Sequence, residues 1–356
     1  MVMGAVTAFF LATHIGELLP TVGRVAGLGP AILPAGLALV MLGVLNRGVQ
    51  ARASYHLMEL PAPLGAMIEL SATSYATNKV VKSGGAAGLM PFLTHAERVG
   101  HNRARVVAAY LSTKVAETIS LCSLIAIAVV ASMASGALRG PALLGAIASV
   151  GYAFVVGGAV VVLATRPATL DAVAARARRI TSRARTALRR PAAAKPPGAS
   201  AGNELADAIA RLRSDPLPAV PVFATAIVGK LVGFTGLCIV LAGLGIHLAL
   251  PTALLIYTLA LMASLAGPLP GGIGVADASL GALLIANQVP APAAAAAVVA
   301  FRLLDLWLPL LAGAVTGFRL VRRARVAVSA TGQLELAGDT ALPGPARAPT
   351  LVPACV

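Results

Sequence analysis

Long apolar stretches separated by short polar connections run along most of the chain. A helix that crosses a bilayer takes ~20 apolar residues, and several stretches approach or exceed that length. They cover residues 2–19, 31–46, 104–134, 141–164, 219–246 and 293–320. We therefore expect six membrane-spanning helices. The first is either short or starts upstream of Met1, because it meets His14 and Glu17 early.

Two further apolar segments, residues 60–94 and 252–287, are interrupted by proline and glycine. Proline removes a backbone donor and glycine weakens a helix interior, so neither segment is expected to form one straight helix. The interruptions are Pro61, Pro63, Gly84, Gly85 and Gly88 in the first segment, and Pro268, Pro270, Gly271, Gly272 and Gly274 in the second. The pattern predicts a helical hairpin in each segment, either re-entrant or built from two short spans.

Composition supports a membrane protein. Apolar residues make up 58% of the 356 residues, charged residues 12%, and the mean hydropathy is +0.86. Soluble domains carry roughly 25% charged residues, so a soluble enzyme, a disordered chain and a coiled coil are all excluded. The predicted fold class is all-α and polytopic.

The basic residues indicate the orientation of the helices. The chain has 28 Lys and Arg against 13 Asp and Glu, a net charge of +15. The basic residues cluster after 31–46, before and within the start of 104–134, in the loop 165–218 and at the end of 293–320, whereas the other connections carry few. By the positive-inside rule the basic connections and both termini are expected to be cytoplasmic.

This orientation constrains the two interrupted segments. Both flanks of 60–94 are then cytoplasmic, and both flanks of 252–287 are external. Each segment must enter and leave through one face, and two hairpins that enter from opposite faces are typical of inverted-repeat transporters.

The chain also repeats itself weakly at one constant shift, which carries Gly84 onto Gly272. Lys114 and Glu117 follow the first of these glycines, and Arg302 and Asp305 follow the second at the same two intervals. We therefore predict a first membrane half at 1–164, a basic cytoplasmic loop at 165–218, a second membrane half at 219–325 and a disordered tail at 326–356.

Several charged residues remain at membrane depth, where a charge costs roughly 2.5–3.5 kcal/mol. Such residues should face a cavity or a partner. Cations beside glycine-rich breaks, where backbone N–H groups are exposed, suit a phosphate head group. The predicted binding residues are Lys79, Lys82, Gly84, Gly85, Lys114, Glu117, Lys230, Pro270, Gly271, Gly272, Gly274, Asp277, Arg302 and Asp305.

Structural roles compete with this interpretation. Lys114–Glu117 and Arg302–Asp305 have the spacing of ion pairs on one helix face. Lys79 and Lys82 have the alternative of extending to the inner interface. Asp277 has the alternative of capping the helix that follows the Pro-Gly break.

Lys230 has no partner nearby in sequence, which leaves three options open. It could meet Asp277, meet Asp305, or line an anion path.

The segment from Pro270 to Asp277, followed by Ala300-Phe301-Arg302-Leu303-Leu304 and Pro309, resembles the flippase-like transmembrane domain of lysylphosphatidylglycerol synthases. Members carry a Pro-x-Gly-x-Gly-x-x-Glu signature and then an Arg in the next span. The resemblance implies movement of aminoacylated phosphatidylglycerol to the outer leaflet. Stand-alone members are linked to polyprenyl, hopanoid or glycolipid pathways.

Two departures from the family pattern matter. Asp277 stands where the family has Glu. No aminoacyltransferase domain follows the spans, so we expect no synthase activity.

The leading functional prediction is a lipid flippase or transporter of the cell membrane that moves a phosphate-containing lipid, aminoacylated and polyprenyl-linked lipids being candidates. The alternatives are a scaffold or accessory subunit for a lipid- or glycan-modifying enzyme and, as a third option, a membrane-embedded lipid transferase.

The basic loop 165–218 either binds anionic phospholipid or anchors the orientation. Nucleic acid is a poor partner because the basic residues are not interleaved with aromatics. We expect no cofactor and no metal site.

Overall fold

The computed structural model describes residues 32–136 without 82 and 84, 217–266, 270–339, and a few isolated helical positions between 147 and 158. The predictions for 2–19, for most of 141–164, for the loop up to residue 216, for Lys82 and for Gly84 lie outside the described residues. So does the tail beyond residue 339.

The described part is all-α and contains no strand. We number its helices α1 to α9: Ile32–Leu57, Leu64–Val80, Ala86–Val99, Arg103–Ala134, Val220–Gly243, Leu250–Ala266, Val275–Ala286, Ala291–Arg302 and Leu308–Asp339. Short 3₁₀ turns at Leu217–Ala219 and Pro270–Gly272 precede α5 and α7, and a π-helical turn at Leu303–Trp307 joins α8 to α9.

Among the residues that the structure describes, three helical segments are long and apolar enough to cross a membrane: Arg103–Ala134, Leu217–Gly243 and Ala291–Arg323. Two shorter apolar helices, Leu250–Leu265 and Val275–Ala286, accompany them. The chain is therefore an all-α, polytopic membrane protein, as the sequence predicts.

Both interrupted segments form pairs of helices. In the first, α2 ends before residue 81 and α3 begins after Gly85, whose φ of 96° lies in the left-handed region that glycine adopts readily. In the second, α6 and α7 flank the Pro-Gly turn. The two helices of each pair pack against each other, as expected for hairpins. Their direction of entry into a membrane stays a prediction.

The helix order repeats at the predicted shift. The distance along the chain from the start of α1 at Ile32 to the start of α5 at Val220 equals that from the start of α4 at Arg103 to the start of α8 at Ala291. The constant shift carries α2 onto α6 and α4 onto α8 and α9. The helix contacts correspond in the same way, because α2 packs against α9 while α6 packs against α4. This agreement supports two related halves.

Among the described residues, the two largest apolar clusters lie mainly one in each half. The first centres on Tyr55, Met67 and Val106, and the second on Leu237 and Ile256. Small residues allow close helix approach between α2 and α9: a Cβ added at Gly313 would lie 2.2 Å from the carbonyl oxygen of Ala72. Such small-residue contacts are typical of membrane helix packing.

The last helix differs from the sequence prediction. Helix α9 continues to Asp339, well into the segment 326–356 that was predicted to be disordered. The segment from 326 to 339 contains no proline, the residue that most strongly ends a helix, and the next one is Pro343.

Candidate functional site

A cavity of about 570 Å³ lies between the two halves. Residues from α1, α2, α4, α5, α6, the π-helical turn and both hairpin breaks form its wall. Its polar and charged lining residues are Asn46, Arg47, Gln50, Ser54, Tyr55, Ser71, Ser74, Tyr75, Asn78, Lys79, Ser83, Tyr110, Thr113, Lys114, Glu117, Thr118, Lys230, Tyr257, Ser264 and Asp305.

Cations outnumber carboxylates in this lining. Four cations, Arg47, Lys79, Lys114 and Lys230, face two acidic residues, Glu117 and Asp305. With every side chain ionised, the described lining carries an excess of two positive charges. An excess of cations between apolar helices favours an anionic ligand.

Lys114 and Glu117 form an ion pair at 2.8 Å between Nζ and Oε2. Lys114 Nζ also lies 5.4 Å from the centre of the Tyr110 ring. The predicted ion pair is therefore present, and it lies in the cavity wall. Because Glu117 is engaged, it neutralises the cation beside it more than it attracts a cationic ligand.

Arg47 and Lys79 share one aromatic ring. Arg47 Cζ lies 4.2 Å from the centre of the Tyr75 ring, and Lys79 Nζ lies 5.4 Å from it. The Tyr75 hydroxyl donates a hydrogen bond to the backbone carbonyl of Asp305. The ring thus places two cations from α1 and α2 beside the π-helical turn of the second half.

Lys230 has no carboxylate within ion-pair distance in the part of the chain that the structure describes. The strongest opposite charge acting on it comes from Glu117, and a weaker one comes from Asp305. Asp277, another partner considered from the sequence, is bound elsewhere. Lys230 is accordingly a cation of the cavity whose charge is not cancelled by a direct partner.

Asp305 lies in the π-helical turn Leu303–Trp307. Turns of this kind are frequent at functional sites. Its carboxylate makes no hydrogen bond or ion pair within the described residues, and its charge acts on Lys79 and Lys230.

Arg302 donates hydrogen bonds to three residues of the second hairpin break and so stabilises it. Its Nε donates to Asp277 Oδ1, and its terminal nitrogens donate to the carbonyls of Gly271 at 3.4 Å and Gly272 at 3.2 Å. The backbone N–H of Gly274 donates to the other Asp277 oxygen at 2.9 Å. The interpretation of Arg302 and Asp305 as an ion pair is therefore wrong: tertiary packing brings Asp277 to Arg302 instead.

The glycines of this break are required by its geometry. Gly271, Gly272 and Gly274 have φ values of 67°, 71° and 82°, which side chains with a Cβ rarely adopt. A Cβ at Gly272 would also lie 2.2 Å from Ser264 Oγ. The backbone of Gly271 and Gly272 can consequently form part of the cavity wall.

The first hairpin break is held by neutral side chains. Tyr110 donates to the carbonyl of Gly85 at 2.8 Å, and Asn78 Nδ2 donates to the Tyr110 oxygen at 3.0 Å. Asn78 Oδ1 also accepts the backbone N–H of Gly88 at 2.8 Å. The two breaks therefore use different chemistry for one structural task.

The predicted binding residues separate into three groups. Those in the cavity wall are Lys79, Gly85, Lys114, Glu117, Lys230, Gly271, Gly272 and Asp305. Gly274, Asp277 and Arg302 do not line the cavity; Asp277 and Arg302 support its wall from behind, and Pro270 begins the 3₁₀ turn beside it. Lys82 and Gly84 lie outside the described residues.

The polar face of α1 was not predicted from the sequence. The positive-inside rule places Arg47 at the cytoplasmic end of the second span, whereas α1 continues beyond it to Leu57. The signal was the spacing of Asn46, Arg47, Gln50 and Ser54, which recur at intervals of three and four on one helix face.

Within the described residues no group of three His, Cys, Asp or Glu side chains could hold a metal ion. The site is therefore best described by its cations, hydroxyls and amides.

Fold and site together define a polytopic helical membrane protein with a charged internal cavity. The family model described as the lysylphosphatidylglycerol synthase TM region matches residues 2–313. The chain belongs to this family, which confirms the resemblance seen in the sequence. No curated protein matches the chain. Family membership indicates a function related to membrane lipids.

Proposed function

We propose that this protein moves a phosphate-containing lipid between the two leaflets of the cell membrane. The observation that carries the proposal is the cavity between the halves, in which four cations face two carboxylates. The cost of placing these charges among apolar helices would be offset by binding an anionic head group.

The site suggests how the head group would be bound. Arg47, Lys79 and Lys230 are the cations without a direct carboxylate partner in the described lining. The oxygens of a phosphate would accept hydrogen bonds from these three side chains. The acyl chains would remain in the apolar interior of the membrane, since moving them into water costs free energy.

Arg302 and Asp277 would act by keeping the second break in shape. In this proposal the two residues position the backbone carbonyls and N–H groups that border the cavity. They do not contact the lipid themselves.

Orientation and partners are part of the same proposal. Both termini and the basic loop 165–218 would be cytoplasmic, where the loop would contact anionic phospholipid. The protein itself would transport lipid without catalysing a reaction.

Exchange of fluorescent phosphatidylglycerol in proteoliposomes tests the proposal. Liposomes with the full chain should expose inner-leaflet lipid to a membrane-impermeant quencher faster than empty liposomes. Lys230→Gln should slow this exchange, whereas Arg98→Gln, which removes an exposed cation outside the cavity, should not. Exchange at the rate of empty liposomes would overturn the proposal and favour a scaffold or accessory role.

A further inference from the structure

The cavity has a neutral polar wall beside its cations. Gln50 and Tyr55 on α1 and Ser71 on α2 are 3%, 2% and 7% exposed, and all three line the cavity. Gln50 Nε2, the Tyr55 hydroxyl and Ser71 Oγ have no hydrogen-bond partner within the described residues.

Neighbouring polar side chains on the same face are satisfied by the protein. Asn46 Nδ2 donates to the carbonyl of Thr225 at 2.8 Å, and the hydroxyls of Ser54 and Thr113 are 2.8 Å apart. Gln50 lies between these two positions on α1. The unpaired groups in the cavity wall are therefore not a property of the whole polar face of α1. Within the described residues, two other buried atoms, His101 Nδ1 and Ser120 Oγ, also have no hydrogen-bond partner and lie outside the cavity wall.

Buried polar groups are nearly always paired, so each unpaired group needs an explanation. A ligand with hydroxyl groups supplies one, because a hydroxyl both donates and accepts hydrogen bonds. Three such groups on one wall are more than a simple phosphate diester would satisfy.

The unpaired groups lie at a defined place relative to the cations. Helices α1 and α2 are joined by a short connection and are antiparallel neighbours. Gln50 follows Arg47 by three positions, and Ser71 precedes Tyr75 by four. Both therefore lie about one helical turn, ~5.4 Å, from the Arg47–Tyr75 contact, on the side of the connection. A polyol ring attached to a phosphate spans such an interval.

The same lining disfavours a cationic head group. An aminoacyl lipid brings ammonium groups, which need a free carboxylate. Glu117 is already paired with Lys114 at 2.8 Å. The Asp305 carboxylate has no direct partner within the described residues, but its charge already acts on the cavity cations Lys79 and Lys230. An ammonium group would meet an excess of positive charge in the cavity.

Resting on the proposed function, we infer that the lipid is an anionic phospholipid whose head group carries several hydroxyls, a polyol or a sugar, and not an aminoacylated one. The phosphate binds at Arg47, Lys79 and Lys230. The hydroxyls of the head group bind at Gln50 and Ser71.

Equilibrium binding measured by native mass spectrometry of the full chain in detergent tests this inference separately from transport. The probes are phosphatidylethanol, phosphatidylglycerol and phosphatidylinositol, which all carry one phosphate diester charge. The head group of the first has no hydroxyl, that of the second has two, and that of the third is a ring with several. Lysyl-phosphatidylglycerol supplies the cationic head group. Affinity should rise along the first series, and lysyl-phosphatidylglycerol should bind more weakly than phosphatidylglycerol.

Matched variants identify the residues. Gln50→Leu and Ser71→Ala should each reduce the preference for phosphatidylinositol over phosphatidylethanol about three- to tenfold, the loss expected for a hydrogen bond. The control variant is Ser279→Ala on α7. Ser279 Oγ donates to the carbonyl of Val275 at 2.7 Å, and Ser279 does not line the cavity. It should leave the preference unchanged.

Two results would overturn the inference. One is equal or tighter binding of lysyl-phosphatidylglycerol than of phosphatidylinositol. The other is full competition by inositol 1-phosphate without acyl chains, which would assign the site to a soluble phosphate. A protein that binds these lipids selectively but does not exchange them would contradict only the proposed transport.

Discussion

Arg47 on α1 and Tyr75 on the neighbouring helix α2 form a cation–π contact of 4.2 Å between Cζ and the ring centre. The same tyrosine reaches across to the π-helical turn of the second half through its hydroxyl. One side chain thereby connects a cation of the first half to the backbone of the second, at the wall of the cavity.

Replacement of Tyr75 should separate these two contacts. Tyr75→Phe keeps the ring and removes the hydroxyl, whereas Tyr75→Leu removes both. Because a cation–π contact is worth about 0.5–2 kcal/mol, Tyr75→Leu should weaken binding of phosphatidylglycerol about two- to thirtyfold more than Tyr75→Phe does. Native mass spectrometry measures both. Equal affinities for the two variants would show that the ring does not position the cations.

Lys114 and Lys230 should differ in their effect on stability. Lys114→Gln leaves the carboxylate of Glu117 without its partner at 2.8 Å, so the midpoint of thermal unfolding in detergent should fall. Lys230→Gln removes a cation that has no direct partner in the described residues, so the midpoint should rise while lipid exchange slows.

This pair of variants separates a stabilising ion pair from a binding cation. A drop in midpoint for Lys230→Gln of the same size as for Lys114→Gln would contradict the distinction. Differential scanning fluorimetry gives the comparison.

Arg302 should be replaceable neither by alanine nor by lysine. Lysine keeps the charge but not the planar fork that reaches Asp277 and the carbonyls of Gly271 and Gly272. The Pro-Gly turn should then loosen. The accessibility of position 264 beside the turn reports this loosening. With Ser264→Cys introduced and the native cysteines replaced, maleimide should label that cysteine faster in both Arg302 variants than in the parent.

Arg319→Ala and Arg319→Lys change an exposed arginine on α9 and serve as controls for that labelling. Their rates should equal that of the parent. If Arg302→Lys also labels at the parent rate, charge alone holds the break, and the hydrogen bonds to the carbonyls are dispensable.

Gly313 should tolerate no added methyl group. A Cβ there would lie 2.2 Å from the carbonyl oxygen of Ala72 and 2.6 Å from the Cβ of Ala76, so α2 and α9 would have to move apart. Gly313→Ala should destabilise the protein by ~1–3 kcal/mol, as overpacking does. The same change at Gly65, where a Cβ meets nothing within 4 Å, should not. Urea or heat unfolding in detergent, followed by circular dichroism, compares the two variants.

Much of the architecture could be predicted without coordinates. Helix α4 was predicted at 104–134 and is found at Arg103–Ala134, and α5 was predicted at 219–246 and is found at Val220–Gly243. The breaks at Gly85 and Gly272 and the constant shift between the two halves were also visible. These features depend on apolar length, proline and glycine, which act over short distances along the chain.

The partners of the charges could be predicted only in part. Lys114 and Glu117 are at i and i+3 on one helix, so their pairing was readable from spacing. Arg302 and Asp305 have the same spacing, yet Arg302 binds Asp277, which is 25 residues away. Spacing shows which side chains can meet on one helix. It does not show whether a neighbouring helix places a carboxylate closer, as Asp277 is placed for Arg302.

Four features could be read from the residues alone: the chain is helical, it belongs in a membrane, its helices break at proline and glycine, and some charges remain at membrane depth. Hydrophobic length and backbone preference are local properties, and they are sufficient for those conclusions. Three relationships appear only in the folded protein: Arg47 joins Lys79 at Tyr75, Arg302 supports the cavity wall, and Gln50 Nε2 and Ser71 Oγ lie beside the cations with no hydrogen-bond partner in the described part of the chain. Those relationships depend on the rotation and depth at which separate helices pack, which no single segment of the chain specifies.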